Sequence, residues 1–480
     1  MARRLSALCL LAALIFGAVS FGQSSVSSAT GSQGQWSNDA ASDAFVYEAH
    51  GGMAVCRPAS VDEALEINDQ YRDADLHVIS RPGYQTQVGG SLNIVLRGTT
   101  QLDSFPQARD AFLRAADTWK SKIDAAITVV IDVDFGPTRF GQPYPSGVLG
   151  STGTQALFSS DGYSDIRAGL VSRSAGTDYS ALINTLPSNQ VPTDIGSTAG
   201  ISAPSALFRA LGVIAPVADP PNETQFGNPP SIGFNSNFTF DFDPSDGIDP
   251  GKIDFDGVAT HELGHALAFT SRVGALELNP QTPLGITVLD LFRFRPGTTL
   301  GTFSTAQRIL SSGGDQVFFA DLPELALSTG RQDGSGGDHN QASHWKDEQI
   351  VFPPIGIMVP AVAPGDRHEI TDNDIRAMNM FGYRAVGSST GDEGDPGGPT
   401  LKKVSYDGAT MTIKGSGFNG ALQLEVNDVV VGPPLKIKLK STGAKLKIKG
   451  SQAELNLHSG SNRVRVVANG LRSAIKTFSL

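Results

Sequence analysis

The chain has 480 residues, with 48 acidic against 37 basic side chains, a formal charge of −11, 8 histidines and 2 cysteines. One cysteine, Cys9, lies inside an apolar leader, so only Cys56 remains for the body of the chain. A disulfide framework is therefore excluded, and stability has to come from burying a core, which a chain of this length can do.

The N-terminus reads as a signal peptide over residues 1–22. Met1-Ala2-Arg3-Arg4 is a basic start, Leu5 to Val19 is an apolar run, and Ser20-Phe21-Gly22 precedes Gln23 as a small-residue cleavage site. The run is too short to span as a stable helix, and no later stretch approaches ~18 apolar residues. The mature chain is expected to be secreted, with no membrane span. Residues 23–88 are Ser-rich, then mixed, and show no strong period; they form an N-terminal segment that can serve as a propeptide.

Regular structure begins with a strand over 91–98, followed by a helix over 104–123 with Ala108, Phe112, Ala115, Ala116, Trp119 and Ile123 on one side. A second strand follows at 126–135. The acidic run Asp241, Asp243, Asp246, Asp249, Asp254 and Asp256 comes next. It can be read as a structural Ca2+ loop, although it misses the EF-hand spacing, or as a solvated turn in which Asp256 caps the next helix.

That helix, Val258 to Thr270, carries His261-Glu262-Leu263-Gly264-His265. An HExxH on a helix sets two imidazoles one turn apart on one face with a carboxylate beside them, which is the layout of a Zn2+ site with its own general base. Zinc needs a third protein ligand. Ala268 and Ser271 break the short HExxHxxGxxH pattern, so the ligand must come from further along: Glu277, His339 and His344 are the candidates. A closing helix is expected over Asp372–Phe381.

His344 stands in Gln341-Ala342-Ser343-His344-Trp345-Lys346-Asp347, and Ile355-Gly356-Ile357-Met358-Val359-Pro360 follows. With the HELGHALAF helix and the Leu289-Asp290-Leu291-Phe292-Arg293 stretch, this order resembles the leishmanolysin-like branch of the metzincin metallopeptidases. It is also similar to a bacterial secreted metalloprotease family with the same four motifs. The resemblance covers residues about 89 to 384. It implies His261, His265 and His344 as zinc ligands, Glu262 as catalytic base, and Met358 as a Met-turn floor under the histidines. Val359 departs from the Asp usual after the turn Met, and Gly274 from a common acidic residue. Cys56, in His50-Gly-Gly-Met-Ala-Val-Cys56-Arg57-Pro58, resembles a cysteine-switch propeptide. A thiolate there, favoured by Arg57, can fill the open zinc position, and Cys56→Ser would then be active without processing, as would cleavage near Arg72 to Arg81. A buried, inert cysteine is the other reading.

Residues 385–400 form a Gly/Pro/acidic linker. Beyond it, segments 409–414, 422–427, 435–440, 444–449, 453–457, 463–468 and 475–479 alternate as short strands and indicate a small β-sandwich over 401–480. Ile413 to Phe418 with Leu424 to Asn427 resembles the immunoglobulin-like fold of IPT/TIG modules. Residues 401–480 carry 13 Lys and Arg against 4 Asp and Glu, a net +9, which leaves −20 on the preceding 400. The lysines are either solvated strand faces or a surface for an anionic polysaccharide or cell surface. Nucleic acid is not expected, because the module has no reading helix or aromatic platform.

The expectation is an α+β metallopeptidase domain over 89–384 followed by an all-β module. Its function would be that of a secreted zinc endopeptidase acting on protein or peptide substrates. A surface-binding protein of the same fold without turnover is the alternative.

Overall fold

A computed structural model describes residues 36–38, 44–69, 75–79, 92–175, 177, 179–220, 228–319, 324–330, 337–386, 398–419, 422–427, 429–431, 436–439, 444–469 and 471–480. The signal-peptide reading at 1–22, Arg72, Arg81 and most of the 385–400 linker lie outside them. The fold is mixed α+β, organised by one eight-stranded sheet.

That sheet is built from β1 (Ala44–His50), β2 (Met53–Pro58), β3 (Leu76–Val78), β4 (Asn93–Thr99), β5 (Thr128–Gly136), β6 (Val148–Gly153), β7 (Ser231–Asn235) and β8 (Ala361–Val362). Its order is β8-β2-β1-β6-β7-β5-β4-β3, with β4, β5 and β7 parallel and the other pairings antiparallel. β4 follows the expected alternation and β5 does so over Thr128–Ile131, beyond which it is buried on both faces, and the helix between them, α1 (Pro106–Lys122), buries Ala108, Phe112, Ala115, Ala116 and Trp119. Pro106 opens that helix at a position where its missing N–H has no partner to lose.

Over Ala44–Tyr47 β1 is buried on both faces, so it shows no period in the sequence, whereas β2 alternates between buried and half-buried residues. Phe45, Tyr47, Ala54 and Cys56 enter the main core, while Ala44 and Val46 pack on Ala64, Ile67 and Val148. A strand buried on both sides reads as mixed apolar sequence, not as alternation.

The motif-bearing helix, α2 (Phe255–Ala266), starts three residues before the expected Val258 and ends four before Thr270. Ala268 takes a left-handed φ of 103°, and the Phe269 N–H closes back on the Gly264 carbonyl, which stops the helix just after the second motif histidine. Asp254, not Asp256, occupies the cap position. Asp256 is drawn away by a bidentate pair with Arg114 at 2.7 Å on both arms.

At its start, α2 is held by Phe255, whose ring lies 4.9–5.4 Å from the rings of Phe112, Phe135, Phe234, Phe240 and Phe242. At its middle, the Trp119 indole donates to the Thr260 carbonyl at 2.8 Å. The described residues between 275 and 360 contain only short elements. The closing helix α3 (Asp372–Met380) carries a capping box between Thr371 and Asp374. No described helix is long and apolar enough to cross a membrane.

The C-terminal unit has its own core between two sheets. One sheet comprises β9 (Thr400–Tyr406), β10 (Thr410–Ser416), β13 (Lys436–Leu439) and β14 (Lys445–Lys449), in the order β9-β10-β14-β13. The other comprises β11 (Leu422–Val426), β12 (Val429–Val430), β15 (Ser461–Ala468), β16 (Leu471–Arg472) and β17 (Lys476–Ser479). The strand expected at 453–457 is instead a turn, in which Leu455 and Leu457 reach the core and mimic alternation. β9 escaped notice because a bulge between Leu401 and Lys403 breaks its period.

Phe255→Ala removes the ring on which five others converge and should cost about 3–5 kcal/mol. Urea unfolding with an unchanged slope and a lower midpoint would register that loss.

Candidate metal centre

His261 and His265 lie one turn apart on α2, and the loop after residue 340 brings His344 to them. The Nε2 atoms of His261 and His344 are 3.1 Å apart, and those of His265 and His261 are 3.0 Å apart. Each ring's other nitrogen is committed to a backbone carbonyl: His261 Nδ1 donates to Ile357 O at 2.8 Å, His265 Nδ1 to Phe269 O at 2.7 Å, and His344 Nδ1 to Gln341 O at 2.8 Å. A carbonyl accepts only, so each Nδ1 carries the proton and three Nε2 lone pairs point at one another. Burial holds the imidazoles neutral, lowering His261 to about 4 and the other two well below the ordinary value.

Three converging lone pairs in a dry interior repel unless a cation lies between them. Nitrogens around a tetrahedral zinc at about 2.0–2.1 Å would sit roughly 3.3–3.4 Å apart, close to the spacing seen. The donor set therefore fits zinc. Cys56 completes it: its Sγ and the three imidazoles offer ligand atoms that all lie within 4.8 Å of one another. Among the described residues this is the one group of its kind.

The other candidates fall elsewhere. His339 is exposed in a left-handed turn, and Glu277 accepts from the Ser312 N–H at 3.0 Å. Most of the acidic run considered for calcium makes bonds within the chain, although Asp254 keeps one buried oxygen without a hydrogen-bond partner. Asp241 accepts from the N–H groups of Asp243 and Asp249, Asp249 pairs with Lys252, Asp254 with Arg367, and Asp256 with Arg114.

Cys56 differs from expectation in one respect. Arg57 does not activate it: that guanidinium binds Glu48 at 2.8 Å and Glu63 at 2.8 Å. Burial and then the Glu262 charge push the thiol well up, with Arg57 only a weaker opposing influence. A bound metal ion would itself have to favour the thiolate.

Glu262 is buried, and neither carboxyl oxygen has a hydrogen-bond partner. Desolvation pushes its carboxyl up to about 8; the nearby Thr152 hydroxyl opposes this to a smaller degree, but its geometry falls short of a formed hydrogen bond and it too has no partner. The hairpin β1–β2 closes the site from above, with the Phe45 ring stacked on His265 at 4.1 Å and the Tyr47 ring edge-on to His261 at 5.7 Å. β1 pairs with β6, and β2 with β8, so the hairpin fills the space between those strands. Beside its end lies a cavity of about 150 Å3 bordered by Val61, Ser271, Val273, Leu278 and Gln341.

Met358 is fully buried and lies directly beneath α2. A Cβ added to Gly264 would come within 2.5 Å of its Sδ, so the glycine of the motif is what lets the turn approach. Gly274 has φ of 79°, and a Cβ there would lie 2.8 Å from Ser312 Oγ. Its departure from an acidic residue thus has a backbone reason.

Two supports were not identified from sequence. Asp374 accepts from the Trp345 indole at 2.8 Å and the Ile357 N–H at 2.9 Å, fixing the turn whose carbonyl holds His261. Asp290 accepts from Ser271 Oγ at 2.6 Å and the Arg272 N–H at 2.9 Å, while Arg293 donates to the Ala342 carbonyl. The Leu289–Arg293 stretch thereby ties the exit of α2 to the approach of His344. The available signal was the capping-box spacing Thr371-x-x-Asp374 and the i, i+3 pair Asp290/Arg293, both lying outside the ligand motifs.

No protein-family model matches the chain, and no curated protein matches it.

Asp374→Ala should leave all ligands present but weaken zinc about 10–100-fold, the range for outer partners of a metal site. Competition with a chromophoric chelator measures that change.

Proposed function

We propose that the chain is an exported zinc endopeptidase of the metzincin kind, held latent by its own N-terminal hairpin. The observation that carries this reading is Glu262, a buried carboxyl group with no hydrogen-bond partner, adjacent to His261 and near Cys56. Burying a polar group unpaired costs free energy, and a metal that only braced a fold would not require it.

Zinc bound by His261, His265 and His344 supplies Lewis acidity toward a water and toward a peptide carbonyl. Once the hairpin leaves and water relieves the desolvation that holds its carboxyl up at about 8, Glu262 would be ionised, accept a proton from the attacking water and deliver it to the leaving amine nitrogen. The backbone carbonyls of Ile357, Phe269 and Gln341 keep the imidazoles oriented, while Met358 sets the depth of α2 above the turn. With the hairpin gone, β6 and β8 present edges to which an extended peptide can add a strand.

In the latent form Cys56 would be the fourth residue to hold the metal, and its thiolate would exclude the water. The hairpin has a second anchor, since Phe45 and Tyr47 are both 2% exposed and each contributes about 1.5–3 kcal/mol by burial. Loss of the thiol alone therefore leaves the cleft filled. The expectation that Cys56→Ser is active without processing is revised accordingly: the strand must leave.

A complete set of one cysteine and three histidines also suits a closed structural zinc site, which would make the chain a surface-binding protein without turnover. The C-terminal unit, similar to IPT/TIG modules, fits either reading as an appended binding domain.

Turnover of an unbiased peptide library separates them. Intact and Cys56→Ser proteins should be nearly silent, and protein cleaved near Arg72 to Arg81, between the hairpin and β4, and freed of the hairpin should be active. Glu262→Ala in the freed form should keep zinc and lose about 10²–10⁴-fold in rate. Zinc-loaded, hairpin-free protein without turnover would favour the structural reading.

A further inference from the structure

The C-terminal unit carries a charged face that the zinc site does not explain. In the β9-β10-β14-β13 sheet, Leu401, Val404, Met411, Ile413, Leu446 and Ile448 point into the core. The alternate positions carry Lys403, Lys414, Lys447 and Lys449, all exposed. The register sets lysine directly opposite lysine: Lys403 against Lys414, Lys414 against Lys445, Lys447 against Lys438, and Lys449 against Lys436. Between them stand Ser405, Thr410 and Thr412.

Like charges directly opposite on a sheet oppose folding. Lysine guarding an exposed edge would account for charges on β9 or β13, but β10 and β14 are the two inner strands. The acidic side chains described in this unit are engaged elsewhere. Asp407 accepts from the Ala409 and Thr410 N–H groups, Glu425 lies on the other sheet beside Arg465 and Arg472, and Glu454 accepts from Ser451. The face is thus a single-sign grid, with charges spaced by roughly 5 Å across strands and 7 Å along them.

We infer that this face binds an extended acidic polysaccharide, a chain with carboxylate or sulfate groups repeating along its length. Ammonium groups on flexible stems suit repeated point charges on a mobile polymer, whereas fixed phosphate or carboxylate forks favour arginine. The two arginines of β15 lie on the other sheet. No aromatic side chain stands on the face to stack bases, since Tyr406 is half-buried with its hydroxyl on the Gly450 carbonyl. Leu439, the exposed large apolar side chain of this sheet among the described residues, pairs with core-facing Leu446 and so lies on the opposite face, leaving none on the lysine face to enter a lipid layer. A patch of this kind on a chain of net charge −11 gives binding that is local and salt-sensitive.

The test uses the full-length protein on immobilised polygalacturonate at about 20 mM and about 150 mM salt. The parent should bind at low salt and lose affinity steeply at high salt. Lys414→Gln/Lys447→Gln/Lys449→Gln should bind at least about tenfold more weakly with a shallower salt dependence, and its Tm should be unchanged or higher because like-charge repulsion is relieved. Lys447→Gln alone should weaken binding measurably, whereas Lys476→Gln on the other sheet should not. Failure of the parent to bind at low salt, or equal binding by the triple variant, would overturn the inference. Tighter parent binding to phosphatidylserine vesicles or duplex DNA than to polygalacturonate would also do so.

Discussion

Three N–H to carbonyl hydrogen bonds govern this structure. Each pins an imidazole through Nδ1 and so decides that the Nε2 lone pairs meet in one place. The accepting carbonyls belong to three separate stretches, Ile357, Phe269 and Gln341, so every one of those stretches has to be positioned to within a fraction of an ångström. Much of the molecule serves that end. Asp374 fixes the Ile357 turn, the left-handed Ala268 swings Phe269 back under His265, and Asp290 with Arg293 binds the helix exit to the His344 approach. The ring cluster around Phe255 then anchors the other end of the helix.

The hairpin is the second structural commitment, and it has the character of a sheet component and not of a loosely draped lid. Six successive register pairs join β1 to β2, and the pair is bracketed by β6 on one side and β8 on the other. Its inner face places an aromatic ring on each of two motif histidines and a thiol among all three. On the proposed reading, coordination by Cys56 and apolar burial of Phe45 and Tyr47 would act on the same segment, so that opening of the site would follow chain cleavage more than the chemistry of one sulfur atom.

Legibility in the sequence followed the range of the interaction. His261, Glu262 and His265 are readable because one helical turn brings them together, and β4, α1 and β5 because their alternation or helical period is local. His344 and Met358 could be reached only through ordered motifs, since His344 follows His265 by 79 positions. The convergence of Cys56 depended on sheet order, which the local sequence does not announce. The end of α2 was misplaced because Ala268 favours helix by propensity, yet the His265 bond to the Phe269 carbonyl requires a turn. Arg57 was misread because adjacent strand residues point to opposite faces, which sends its charge to Glu48 and Glu63 and away from the thiol. In the C-terminal unit, Leu455 and Leu457 imitated a strand from within a turn.

The central claim is that one zinc joins the motif histidines to the N-terminal cysteine in the intact chain. X-ray absorption at the zinc edge of the uncleaved, zinc-loaded protein addresses it most directly. The account predicts one sulfur at about 2.3 Å with three nitrogens at about 2.0–2.1 Å. A first shell of nitrogen and oxygen alone, with no sulfur, would contradict it.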